Sequence, residues 1–157
     1  MSGPLEMRAP LEVLVLDVGG TLVREGAGSG PDGALVVELL PGVAADLELL
    51  AEQFPITAAT NTAFMSAAEV REYLDRAGIG RYFTEIVTSF DQGSAKPDPG
   101  IVIGAARAGG ATAMESVLFI GDMPSDEEAA RRAGVHFAWV LPEGIAATVA
   151  RWQEGRD

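Results

Sequence analysis

Cysteine is absent from this 157-residue chain, and lysine and histidine occur once each. Without cysteine there are no disulfides, no thiolate nucleophile and no thiolate zinc site. No apolar run approaches the ~18 residues that a membrane span needs, and no basic region leads into an apolar stretch at the N-terminus. Membrane insertion and secretion are therefore not expected, and a cytoplasmic location is. Basic residues are scarce, 11 Lys+Arg against 23 Asp+Glu, for a net charge of −12. That balance argues against a surface that binds nucleic-acid backbones. What remains is ordinary for a folded domain: 48% hydrophobic and 22% charged residues. The length predicts one domain over residues 11–157, with residues 1–10 a loose lead-in.

Along the chain, apolar runs alternate with helical periodicity. Strands are expected at Leu11 to Leu16, Pro55 to Thr60, Glu85 to Thr88, Val117 to Ile120 and Phe137 to Leu141. Helices are expected over Leu39 to Phe54, Met65 to Ala77, Asp98 to Ala108, Ser125 to Ala133 and Gly144 to Trp152. Strands alternating with helices imply parallel pairing through right-handed crossovers. The expected fold is a three-layer, Rossmann-like α/β sandwich with a mainly parallel sheet of about five strands. One segment breaks the alternation. VREGAGSGPDGALVVEL, after Leu22, is rich in turn residues between short apolar runs, and reads as a β-hairpin flap beside the end of the first strand.

Ligands of open parallel sheets bind at the carboxyl ends of the strands. Asp17 follows the first strand, Thr60 and Asn61 end the second, and Asp122 follows VLFIG. Lys96, in SAKPDP, lies in the loop after EIVT. It is the sole lysine beside ten arginines, and a compact ammonium suits a single phosphate or carboxylate contact in a way that a planar guanidinium does not. His136, Phe83, Phe119, Tyr82 and Trp139 read as packing residues, and the acidic run Asp126 to Glu128 suits the first turn of a helix.

In this order, LVLDVGGTL, ITAATN, KPDP and FIGDMPSDEEAARRAG resemble the four motifs of the haloacid dehalogenase-like (HAD) phosphohydrolase superfamily. The resemblance covers the chain from Leu11 to about Leu141. It implies a magnesium-dependent phosphatase in which Asp17 attacks phosphorus and forms an aspartyl-phosphate. It also implies magnesium held by Asp17, the backbone carbonyl of Gly19 and Asp122. Thr60, Asn61 and Lys96 would bind the phosphoryl oxygens, with backbone N–H groups near Gly19 and Gly20, and Asp126 would support Lys96 or a metal-bound water.

The sequence departs from the pattern at one point. Phosphatases of this family usually carry a second aspartate two residues after the nucleophile, as the general acid and base, and here that residue is Gly19. Such a group is worth about 10²–10⁴-fold in rate. Its loss predicts a steep dependence of rate on leaving-group pKa. A flat dependence would instead point to Glu25 or Asp32, the acids of the expected hairpin. The intervals from Leu22 to Thr60 and from Thr60 to Lys96 leave no room for a large cap. An open site is expected, for a phosphorylated small molecule or an accessible phosphorylated macromolecule, which a second copy of the chain in a homo-oligomer could cover. Two other readings stand beside this one: a HAD fold kept for binding alone, and a fragment of an actin-like sugar kinase, whose phosphate loop DVGGT resembles but which leaves Lys96 and GDMPSD unexplained.

Overall fold

Short runs of Val, Leu and Ile form the strands: β1 (Val13–Leu16), β2 (Ile56–Thr60), β3 (Glu85–Thr88), β4 (Val117–Gly121) and β5 (His136–Trp139). All pair in parallel, in the order β3-β2-β1-β4-β5. The computed structural model describes residues 10–25 and 36–156. Six α-helices lie within them: α1 (Val43–Ala51), α2 (Ala67–Arg76), α3 (Ser89–Gln92), α4 (Gly100–Ala108), α5 (Pro124–Ala133) and α6 (Ile145–Arg156). None of the helices described is long and apolar enough to cross a membrane.

Side chains alternate across each strand and divide the core in two. Leu14, Leu16, Ile56, Leu118 and Ile120 pack with Val43, Leu47 and Leu50 of α1, Val70 and Leu74 of α2, and Ile145 and Val149 of α6. Val13, Val15, Val117 and Phe119 face the other way, against Ile101, Val102 and Ala105 of α4 and Ala129, Ala130 and Ala133 of α5. The result is the expected three-layer sandwich. The α4 layer sits close to the sheet, with Thr57 Oγ1 donating to the Ala105 carbonyl at 3.0 Å.

The chain order runs outward from β1 through β2 to β3, then returns to the other side of β1 for β4 and β5. This reversal opens a crevice beyond the ends of β1 and β4, where a parallel sheet accepts a ligand. The register levels the strand ends: Leu16 pairs with Ala58 on one side and Ile120 on the other. The residues that follow therefore emerge side by side.

Several boundaries differ from the sequence reading for local reasons. The helix expected from Leu39 begins at Val43, because Leu39 bridges Val23 and the Leu40 N–H donates to the Leu22 carbonyl. With the Arg24 N–H donating to the Glu38 carbonyl, these contacts form the antiparallel base of the expected hairpin. Residues 26–35, including Asp32, lie outside the described residues. The first strand starts at Val13 rather than Leu11, and Glu12 instead accepts from the Thr112 backbone and hydroxyl. α3 was not expected; it is a single short turn capped by Thr88. Phe83 and Phe119 are buried, and the His136 ring lies 3.0 Å from the Glu115 carbonyl and against Trp152. Trp139 differs from expectation: on the edge strand it is 43% exposed, and its indole N–H donates to Glu127.

Gly109, just past α4, measures how tightly that helix is seated. A Cβ there would stand 2.6 Å from Val13 Cγ1 and 3.3 Å from Thr57 Cγ2. Gly109→Ala should therefore lower stability by about 1–3 kcal/mol through overpacking. Urea unfolding measures this, and an unchanged midpoint would contradict the close seating.

Candidate active site

Lys96 is 5% exposed, and its ammonium has three acceptors in place. Nζ lies 2.9 Å from Asp17 Oδ1, 2.6 Å from Asp126 Oδ1 and 2.9 Å from the Ala59 carbonyl. An ammonium has three protons to give, so every donor is used. The residues that the sequence reading singled out as Asp17, Lys96 and Asp126 thus form one buried ion cluster.

Asn61 fixes the lysine from behind. Its Oδ1 accepts from the Lys96 N–H at 2.9 Å, and its Nδ2 donates to the Lys96 carbonyl at 3.1 Å. The side chain expected to bind phosphate is therefore spent at both ends on the Lys96 backbone, and positions that residue. Asp126 is used equally fully. While Oδ1 holds Lys96, Oδ2 accepts from the backbone N–H groups of Asp122 and Met123, at 3.1 Å each, at the start of α5. It is 1% exposed, so this residue of the acidic run is buried at the start of α5.

Asp122 differs. Its Oδ1 is buried and has no hydrogen-bond partner, a state shared among the described residues only with Thr21 Oγ1. Carboxylate oxygens of Asp17, Asp122 and Asp126 lie within 4.8 Å of one another. A hard divalent cation such as magnesium takes oxygen ligands of this kind. With both Asp126 oxygens engaged, Asp17 and Asp122 are the carboxylates that can hold it. The Asp122 carboxylate reaches this place because Gly20 leaves it room: a Cβ on Gly20 would stand 1.9 Å from Asp122 Oδ2. Gly20 also has φ 76°, in the left-handed region that favours glycine.

Above the cluster opens a cavity of about 630 Å³. Asp17, Gly19, Thr60, Asn61, Lys96 and Asp126 line its polar end, and Thr60 is 8% exposed as the last residue of β2. Ser125, which the sequence reading passed over, also lines it. Its position next to Asp126 at a helix start was the available signal. Glu25 borders the same cavity.

Burial pushes the Asp17 carboxyl up to about 7; the Lys96 charge opposes this and the Asp126 charge adds to it. The folded chain thus holds a proton that an unfolded aspartate releases near 3.8. The stability from this group is fully present below pH 3.8 and is lost as pH rises through about 7. In buffer containing a chelator, the melting temperature of wild type relative to Asp17→Asn should therefore fall across that interval. Parallel pH profiles for the two proteins would contradict the raised value.

The model of the haloacid dehalogenase-like hydrolase family matches residues 32–140. A phosphoglycolate phosphatase from Pseudomonas syringae pv. syringae (strain B728a) is 41% identical over 66 residues, which is 42% of this chain and 24% of that protein. This chain thus spans about a quarter of that relative in the match. An uncharacterised protein from Listeria monocytogenes serotype 4b has a similar structure, with TM-score 0.71 and 28% identity, over 85% of this chain and 81% of that one. D,D-heptose 1.7-bisphosphate phosphatase from B. bronchiseptica, complexed with magnesium and phosphate, has TM-score 0.69 and 23% identity, over 94% of this chain and all of that one. A family match that runs from within the hairpin segment to beyond β5 takes in most of the sheet and of the buried lysine cluster, and the chain belongs to the haloacid dehalogenase-like hydrolases.

Proposed function

We propose that this hydrolase is a magnesium-dependent phosphatase that works through an aspartyl-phosphate on Asp17. The observation that carries the reading is the unpartnered Asp122 Oδ1 beside a lysine-held Asp17, at the switch point of the sheet. Magnesium, when held by Asp17 and Asp122, would offset the negative charge of the phosphoryl group that approaches. The chain's own residues do the rest. Lys96 orients Asp17 through Oδ1 and supplies positive charge to the phosphoryl oxygens. Asp126 and Asn61 keep Lys96 in place, and Thr60 borders the same oxygens. An Asp17 oxygen bonds to phosphorus as the ester P–O bond breaks; water then displaces Asp17 and leaves inorganic phosphate.

The body of the substrate faces a different wall. Val23, Val36, Met65, Val70 and Tyr73 line the rest of the cavity. Among the described residues, the cation besides Lys96 that borders it is Arg24, which is paired with Glu38 at 3.2 Å. Residues 26–35 contain no lysine or arginine. This wall suits an apolar or aromatic phosphate ester better than one carrying a carboxylate, such as the phosphoglycolate for which the Pseudomonas relative is named.

With magnesium present, the chain should hydrolyse an aryl phosphate, with a lower KM than for phosphoglycolate. Asp17→Asn should abolish turnover, and EDTA should reduce it to background. Equal rates for wild type and Asp17→Asn would overturn the reading, and phosphate binding without turnover would identify a binding protein instead.

A further inference from the structure

We propose that Glu25 is the general acid and base of this site, its carboxylate reaching in from the hairpin to the place that a side chain at position 19 would occupy. The inference rests on the phosphatase reading and adds the residue that moves the proton.

The chain turns back on itself directly after Asp17. The Leu22 and Val23 N–H groups both donate to the Val18 carbonyl, the Gly20 N–H donates to the Val23 carbonyl, and Val23 bridges Gly19. This fold carries Glu25 over Gly19. A Cβ built on Gly19 would stand 2.5 Å from Glu25 Oε1, 2.9 Å from its Cγ and 3.1 Å from its Cδ. A side chain at 19 and the Glu25 carboxylate therefore compete for one space.

Backbone conformation does not explain the glycine. Gly20 has a positive φ, but Gly19 is not among the glycines that do. A positive φ is thus not what calls for glycine at position 19; what a side chain there would meet is the end of the Glu25 side chain.

The other carboxylates at the cavity are already committed. Asp17 is held by Lys96, and both Asp126 oxygens are engaged. Glu25 lines the cavity with them and has no hydrogen-bond or ion-pair partner among the described residues. It is exposed, which lets it exchange protons with water.

The chemistry balances with water as the only co-reactant. As an Asp17 oxygen bonds to phosphorus and the ester P–O bond breaks, the Glu25 carboxyl protonates the departing oxygen. The Glu25 carboxylate then takes a proton from water as that water's oxygen bonds to phosphorus. The P–O bond to Asp17 breaks, inorganic phosphate leaves, and both side chains return to their starting forms.

The test uses Glu25→Gln, Glu25→Ala and the double variant Gly19→Asp/Glu25→Ala, with one alkyl and one aryl phosphate. In Glu25→Gln, single-turnover phosphorylation of Asp17 by the alkyl ester should slow by about 10²–10⁴-fold. The aryl ester, whose oxygen leaves readily as an anion, should phosphorylate Asp17 at close to the wild-type rate. Phosphoenzyme should then accumulate, read by intact mass, because water activation is lost. Gly19→Asp in the Glu25→Ala background should recover alkyl turnover, since the new side chain enters the emptied space. Equal slowing for both esters, no phosphoenzyme, or no recovery in a double variant that melts like wild type would each overturn the role of Glu25. Wild-type turnover of the aryl ester that survives Asp17→Asn would overturn the phosphatase reading, and the Glu25 inference with it. Loss of the Glu25 inference alone leaves Asp17-dependent turnover intact, so the two failures are distinguishable.

Discussion

A single buried ammonium organises this molecule. Charge in the interior is costly unless it is paired and its hydrogen bonds are complete, and Lys96 meets both conditions by drawing on the ends of three elements. Asp17 comes from the end of β1, the Ala59 carbonyl from the end of β2, and Asp126 from the first turn of α5. Removing the ammonium would leave two carboxylates buried against each other. The dependence is mutual, because without those acceptors the lysine would have no place in a core that also sets it 5.1 Å from the Phe119 ring. The site is held together by these contacts across three elements.

The sheet makes that arrangement cheap to reach. Parallel strands in register deliver successive residues at one level, so a polar residue after β1 meets its counterparts after β2 and β4 without any strand bending to bring them there. The three central strands are buried on both faces and anchored there by apolar packing, far from the chemistry. The cluster can therefore be rigid while the cavity above it stays open.

Strand–helix alternation and the four short motifs made the fold and the lysine cluster legible in the sequence, because strands buried on both faces read as short apolar runs whose ends collect the polar residues. Other roles were not legible. Asn61 looks like a phosphate ligand until its amide is found on both sides of the Lys96 backbone, a contact between residues distant in sequence that no local pattern encodes. Asp126 reads equally well as helix stabilisation, and it performs that role and the ionic one with different oxygens. The start of α1 was misjudged because Leu39 and Leu40 carry the helical period yet give their backbone to the hairpin base. Glu25 was nameable only as a nearby acid. Its relation to Gly19 depends on a turn whose hydrogen bonds join main-chain groups.

The missing side chains around this site have a common geometry. Gly20 faces a carboxylate oxygen of Asp122 as Gly19 faces one of Glu25, and a Cβ on Gly121 would stand 2.4 Å from Asp126 Oδ2. Three of the acids at the site thus lie where a glycine has left out its side chain. Sequence drift at these six positions is consequently not independent. Enlarging a glycine displaces a charge instead of a methyl group, and shortening the buried Asp126 opens a polar void that Gly121 cannot fill. Divergence here should proceed in pairs, with a glycine and its acid changing together or both staying fixed.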